Sequence, residues 1–395
     1  MKKRKVLGLI LELNPPHNGH KYFIDKAKEL IRPDYTVAVI STNFSMRGDI
    51  MVLDKFTKTN LAMKMGIDLI IELPTVASLC SADYFAYNSV KLLNQFNVTD
   101  IVFGAEANDI NELNTLCNII KKDTFNLSLK QYLDKGFSYN TSCNKALLNE
   151  TNDKNLITNF SLPNNTLAIQ YIIAINNINP NINYNIIKRI DNNYFDEQTT
   201  GLISSATSIR NLIENNGCYS QYIFNDKVKY INIKNAKSNL FNIIKYKLLL
   251  SSKEYLKTIL GVEEGIESRL INTIKDSNDY DDFINKVITK RYTVNKIKRI
   301  LINIILDIQE KTNLCYNNTD FQTRVLGFNE KGKKLISLLS KDMKKNIITS
   351  LKSVNNNIYN IELKSSILYG IITNNTQLYL NEYNIPIRSD EGNDN

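Results

Sequence analysis

The chain has 395 residues, 43% of them hydrophobic, which is enough to bury ordinary cores in two domains. Its formal net charge of +9 points to a polyanionic partner or substrate without separating RNA from DNA or free nucleotides, and the abundance of Asn, Ile and Lys weakens any argument from charge alone. The cysteines Cys80, Cys117, Cys143, Cys218 and Cys315 show no paired spacing, which argues against a disulfide framework and a zinc site and for reduced thiols in a cytoplasmic protein.

Lys2-Lys3-Arg4-Lys5 precedes an apolar run, but that run ends at Glu12, short of a workable secretory signal, and no later run is long and uncharged enough to span a bilayer. From Leu7, Gly8, Leu9, Ile10, Leu11, Glu12 and Leu13 to Asn14, Pro15, Pro16, His17, Asn18, Gly19 and His20, the pattern reads as a buried parallel strand, a proline-punctuated turn and a helix start. Both histidines of the chain lie here. Unpaired N–H groups at a helix N-terminus, with the positive end of its dipole, suit this corner to a phosphate, and Gly19 permits a close approach.

Apolar spacing then predicts a helix over residues 21–30, a strand at Tyr35–Ser41 and a polar loop from Thr42 to Asp49 at the ligand-binding edge of a sheet. A helix from about Leu53 to Met65, a strand at Asp68–Leu73, a helix from Ser81 to near Phe96 and a strand at Asp100–Phe103 follow. This alternation implies a Rossmann-like parallel α/β sheet. Between Lys121 and Phe160 the pattern is weak and no chemistry is legible. Ser204 and Ser205 suit the N-cap of another helix, whose free N–H groups make a second phosphate cradle with Arg210 as a charge clamp.

The periodicity breaks at 216–225, placing a domain boundary between 1–218 and 219–387. Helical spacing then dominates, at 231–251, 252–260, 265–275, 281–288 and 294–311, which predicts a mainly α-helical C-terminal domain. Arg291, Lys296, Lys298, Arg299, Lys331, Lys333 and Lys334 are the candidate RNA-binding cations of this half, with Tyr292 and Phe328 available for stacking. A solvated helical face explains such lysines nearly as well. Residues 388–395 read as an acidic, disordered tail.

The His17-Asn18-Gly19-His20 corner after the first strand resembles the signature of the nucleotidyltransferase superfamily. Asn43-Phe44-x-x-Arg47-Gly48, Asp54-Lys55-x-Thr57, Ile71-Glu72-Leu73-Pro74 and Ser81-Ala82-Asp83-Tyr84-Phe85-Ala86 narrow that resemblance to the tRNA(Met) cytidine acetate ligase family of bacteria. Leu162-Pro163-Asn164-Asn165, Ile187-Lys188-Arg189-Ile190 and Ile203-Ser204-Ser205-x-x-x-Ile209-Arg210 extend it toward full length, while Pro16 stands where family members commonly carry Phe.

The resemblance implies an ATP-dependent ligase that makes acetyl-adenylate and acetylates N4 of the wobble cytidine, C34, of elongator tRNA(Met), with Mg²⁺ expected on the phosphates. It implies that Gly104, Asn164 and Arg189 complete the nucleotide pocket, that His17, His20 and Arg210 serve catalysis, and that Lys55 is a further phosphate or acyl-adenylate contact. No protein metal ligand, obligate protein partner or membrane association is expected. Two rivals stand beside this reading: a small-molecule adenylyltransferase of the nicotinamide mononucleotide or phosphopantetheine type, and a non-enzymatic RNA-binding protein on the same fold.

Overall fold

A strand apolar on both faces needs cover on both sides, and β1 (Val6–Leu11) lies at the middle of the sheet. The computed structural model describes residues 4–189, 203–225, 227–311, 322–354 and 357–389. The expected tail falls outside them from residue 390 onward. After β1 come α1 (Asn18–Ile31), β2 (Tyr35–Ser41), α2 (Lys55–Lys64), β3 (Leu69–Leu73), α3 (Thr75–Ser78), α4 (Ala82–Asn94) and β4 (Asp100–Ala105). The segment that showed weak periodicity folds as α5 (Ile110–Ile120), α6 (Asp123–Asp134), α7 (Tyr139–Glu150) and α8 (Lys154–Ser161), and α9 (Pro163–Ile178) leads to β5 (Asn183–Lys188).

Strands β1 to β5 are parallel, in the order β5-β4-β1-β2-β3. Alternate residues of β1 feed opposite cores: Val6 packs with the α4 and α9 side, whereas Leu7, Leu9 and Leu11 pack with Ile24, Ala27 and Ile31 of α1. The chain runs outward from β1 through β2 to β3 and then returns to β4 on the other flank. The resulting switch point, between the carboxyl ends of β1 and β4, opens a crevice that α/β sheets use for ligands.

Beyond α10 (Ala206–Glu214), helices α11 (Ile233–Leu250), α12 (Lys253–Leu256), α13 (Ile266–Lys275), α14 (Tyr280–Val287) and α15 (Val294–Leu306) correspond to the expected segments, although α12 is much shorter than 252–260 and α15 stops short of 311. The strand β6 (Thr323–Phe328) was not anticipated, and it pairs antiparallel with β3. Residues on both sides of the boundary expected near 218 therefore build one sheet. After it come α16 (Glu330–Ser337), α17 (Lys341–Lys345), β7 (Ile347–Ile348), α18 (Asn357–Ile372) and β8 (Ile387–Arg388), with β7 and β8 short partners of β6.

Candidate active site

The crevice is a cleft of about 890 Å³, lined at one end by Leu11, Glu12, Leu13, Asn14, His17, Gly19, His20, Gly104, Asn164, Arg189, Ser204, Ser205 and Arg210. The sequence reading named all of them. Ile10 also lines the cleft, and the other members of the first motif hold the scaffold. Leu7 and Leu9 are fully buried under α1, and Gly8 is small because a Cβ there would lie 2.8 Å from Val98. Pro15 and Pro16 shape the turn, in which the Asn14–Pro15 peptide is cis. The Asn18 amide donates to the Tyr222 carbonyl and its side chain to the Gln221 carbonyl, each at 2.9 Å.

His17 is the N-cap of α1, and its ring lies 3.8 Å from that of His20, centroid to centroid. Gly19 makes room for this stack, since a Cβ there would come within 2.8 Å of the His17 ring. The His17 amide donates to His20 Nδ1 at 3.3 Å, which makes that nitrogen an acceptor and leaves the proton of a neutral ring on Nε2. Burial, followed by the charges of Arg189 and Arg210, pulls His17 down to about 3. Burial, then His17 and Arg189, holds His20 well below the ordinary range. Both rings are thus neutral at physiological pH and act as hydrogen-bonding groups.

Ser205 caps α10 as expected, its hydroxyl accepting from the Ser208 amide at 3.1 Å. Arg210 donates to the Asn14 carbonyl at 2.8 Å and to Thr207 Oγ1 at 3.1 Å, joining the two helix starts. Arg189, directly after β5, donates to Asn164 Oδ1 at 3.3 Å. Glu106, to which the sequence reading gave no role, occupies the start of α9: its carboxylate accepts from the Asn165 amide at 2.8 Å and from Asn164 Nδ2 at 2.5 Å. Asn165 answers by accepting from the amides of Glu106 and Ala107, both at 2.9 Å. A loop carboxylate, not a phosphate, therefore satisfies that helix N-terminus.

The loop after β2 forms another wall, with Ser45, Met46, Arg47 and Asp49 facing the cleft. Glu12 holds it, accepting from the Met46 amide at 2.6 Å. On the far side Lys298 pairs with Asp49 at 2.7 Å, and Arg299 donates to the Met46 carbonyl at 3.2 Å. Gly48, at φ +78°, lies so close to α15 that a Cβ would sit 2.7 Å from Lys298. Lys298 and Arg299, read from sequence as RNA contacts, fasten α15 to the cleft wall, and Arg299 itself lines the cleft. Arg291 pairs with Glu264 at 2.7 Å, and Lys296 lies 3.6 Å from Glu263 and over the Tyr292 ring. Tyr292 is itself buried, whereas Lys331, Lys333 and Lys334 belong to α16, all three exposed.

Lys55 is where the structure corrects the sequence reading. It does not line the cleft; its side chain is 1% exposed and its ammonium meets Glu72 at 2.6 Å, Glu362 at 3.0 Å and Glu382 at 2.7 Å. Arg324 of β6 pairs with Glu72 at 3.4 Å and with Glu382 in the same enclosure. A cation surrounded by three carboxylates has its charge balanced inside the protein and none left for a phosphate. The segment without legible chemistry supplies apolar lining of the cleft, through Phe125, Tyr139, Cys143 and Phe160, together with Phe85 and Tyr171. These side chains follow ordinary helical spacing, so no motif marks them. Burial pushes the Cys143 thiol up to about 11, which leaves it a poor nucleophile at neutral pH.

The family described as HIGH nucleotidyl transferase matches residues 4–383. The tRNA(Met) cytidine acetate ligase of Thermosipho melanesiensis is 36% identical over 360 residues, covering 88% of this chain and 84% of that protein. The chain belongs to the tRNA(Met) cytidine acetate ligase family. The Clostridium novyi member is 35% identical over 383 residues, 93% of this chain and 95% of its own. Among solved structures, Thermotoga maritima TmcAL bound with alpha-thio ATP aligns with a TM-score of 0.85 at 28% identity, covering 98% of this chain and all of that one, and the apo form with 0.86 at 29% identity. The mostly parallel sheet and surrounding helices are thus those of this family, and no helix among the described residues is long and apolar enough to cross a membrane.

Proposed function

We propose that this protein activates acetate with ATP and transfers the acetyl group to N4 of the wobble cytidine, C34, of elongator tRNA(Met). The observation that carries the reading is the convergence of two helix starts on one crevice, with Arg210 of α10 bonded to the Asn14 carbonyl of the His corner at 2.8 Å. The names of the relatives and the alpha-thio ATP bound by the Thermotoga protein supply the nucleotide, the acid and the RNA.

In the first step the acetate oxygen attacks the α-phosphorus of ATP and pyrophosphate leaves. Little covalent work falls to the protein, whose task is alignment and stabilisation of charge on phosphate oxygens. The neutral His20 donates through Nε2–H, and Arg189 and Arg210 provide fixed positive charge. Because these donors sit in a partly desolvated cleft, each contributes more than it would in water. In the second step the cytidine amine attacks the acetyl carbonyl and AMP departs.

The described residues contain no group of three His, Cys, Asp or Glu side chains that could cage a metal. Mg²⁺ enters this proposal on the nucleotide's phosphates, where it supplies further charge neutralisation. The aromatic side chains that line the same cleft, Phe125, Tyr139 and Phe160 among them, offer surfaces on which an acceptor base can stack. Incubation with ATP, acetate and tRNA(Met), followed by nucleoside mass spectrometry, should reveal N4-acetylcytidine and AMP. Acetate-independent pyrophosphate release with nicotinamide mononucleotide or phosphopantetheine would favour the small-molecule rival, and RNA binding without any ATP turnover the non-enzymatic one.

A further inference from the structure

The cleft holds a carboxylate that adenylation does not require. Glu12 follows β1 directly, so it stands at the switch point of the sheet, and it lines the cleft together with His17, His20 and Gly104 of β4. One of its oxygens is fixed by the Met46 amide at 2.6 Å. The other carboxylates nearby are committed: Asp49 to Lys298 at 2.7 Å, and Glu106 to the start of α9. Among the described residues Glu12 forms no ion pair, although Arg47 and Asp49 of the loop and Lys58 of α2 face it and Tyr171 of α9 senses its charge.

We propose that Glu12 accepts the proton released by the attacking amine when the acetyl group passes from acetyl-adenylate to the base; this rests on the acetyl-transfer reading above. The bond from N4 to the acetyl carbon forms, the bond from that carbon to the AMP phosphate oxygen breaks, and its electron pair leaves with AMP. The N4 proton moves to the Glu12 carboxylate and from there to water. An exocyclic cytosine amine is a weak nucleophile, and removing its proton as the new bond forms avoids a cationic amide.

Burial raises the Glu12 carboxyl above its ordinary value, against the lowering effects of the Met46 amide and of Arg47 and Lys58 and with the raising effect of Asp49. A raised carboxylate is a stronger base. His17, drawn down to about 3, is far weaker, so the neighbouring ring is a poor substitute. Lys58 donates to the Ser41 carbonyl at 2.6 Å and the Thr42 carbonyl at 2.9 Å, which holds the strand ends around Glu12 without pairing its carboxylate.

The test uses the full-length protein and separates the two steps. Glu12→Gln retains an oxygen to accept from the Met46 amide but loses the base. Acetate-dependent exchange of pyrophosphate into ATP should stay within about threefold of wild type, while single-turnover transfer from preformed acetyl-adenylate to tRNA(Met) falls about 100-fold or more. Wild-type transfer should rise with pH through a range above that of an ordinary carboxylate, and the Gln variant should lose this ascending limb. Glu12→Asp, measured alongside, should keep the limb at a reduced rate. Unchanged transfer in Glu12→Gln, equal loss in both steps, or an ascending limb that persists without the carboxylate overturns the assignment. If wild-type protein performs neither step, the acetyl-transfer reading itself fails, a result distinct from selective loss in the variant.

Discussion

Two buried charged assemblies, on either side of the β2–α2 segment, use similar residues to opposite ends. In one, Lys55 and Arg324 are enclosed with Glu72, Glu362 and Glu382, every member 3% exposed or less. In the other, His17, His20, Arg189, Arg210 and Glu12 surround an open cleft. The first is closed upon itself: its cations and anions answer one another, and Glu362 also accepts from the Thr75 amide and hydroxyl, both at 2.7 Å. The second lines the cleft while bonding to the scaffold: Arg210 to Asn14 and Thr207, Arg189 to Asn164, and Glu12 to the Met46 amide. Burial alone does not distinguish a binding site from a structural joint; what matters is whether the polar atoms are already matched by the protein.

That contrast predicts opposite responses to truncation. Lys55→Ala would leave three carboxylates and one guanidinium in a buried enclosure, and breaking such an arrangement costs about 3–5 kcal/mol. Denaturant unfolding should report this loss. Lys55→Met, similar in length but uncharged, should be destabilising too, since the carboxylates remain. If either variant kept wild-type stability while losing pyrophosphate exchange, Lys55 would belong to the active site after all.

His20→Ala should do the reverse. Removing a donor aimed at developing charge lowers turnover by about 10²–10³-fold in comparable sites, whereas the ring's contribution to the fold is limited to its stack on His17 and the bond from the His17 amide. Tests on acetate-dependent exchange and thermal unfolding should therefore diverge: the first collapses and the second shifts little. Wild-type acetylation by this variant would remove the histidines from the mechanism.

The closed cluster should also betray itself through pH. Burial raises Glu72 from 4.5 to about 7, with Lys55 pulling the other way. The native state thus binds this proton more tightly than the unfolded chain, so the associated stability is complete below pH 4.5 and is lost as pH rises through about 7. Glu72→Gln keeps a neutral side chain throughout and should flatten the stability profile across that window. Glu362 is held below its ordinary value mainly by Lys55, and its contribution disappears at lower pH, outside the window. Urea midpoints measured on both sides of neutrality decide the matter, and an unaltered slope in the variant would assign the proton elsewhere.

The contrast also explains what the sequence revealed. The His corner, the Ser205 cap and strands β1 to β4 are encoded locally: apolar runs, prolines and cap residues determine them within a few positions. Lys55 looked like a helix-start lysine because Glu362, one of its partners, lies 307 residues away. Strand β6 was hidden for a related reason. Arg324 interrupts its apolar pattern and is neutralised by residues from β3 and the C-terminal segment, while Gly327, poor in strands, is required because a Cβ would come within 2.6 Å of Thr59 on α2. Lys298 and Arg299 sat in a basic run whose spacing could not say that the helix is covered on that side by the cleft loop. Glu106, which caps α9, and the cleft-lining Phe125 and Phe160 carry no motif, so only the folded chain shows their places.

The smallest effects should come from cations that neither assembly uses. Lys331 and Lys333 on α16 are exposed, and Lys333 has only a 3.4 Å pairing with Glu330, an exposed neighbour on the same helix. Such a pair contributes roughly 0–1 kcal/mol, so neutralising these lysines should leave folding unchanged. If α16 tracks tRNA phosphates, replacing Lys331, Lys333 and Lys334 by Gln should weaken tRNA binding modestly and lower the slope of log K against log salt by about 0.7–0.9 for each phosphate no longer neutralised. Acetate-dependent pyrophosphate exchange needs no RNA and should not change. Lys298→Gln is the informative counterpart, because it releases Asp49 from α15 and loosens the cleft wall. It should reduce exchange as well as transfer, whereas an effect confined to the salt dependence of tRNA binding would restore Lys298 to the RNA-contacting surface and detach it from the cleft.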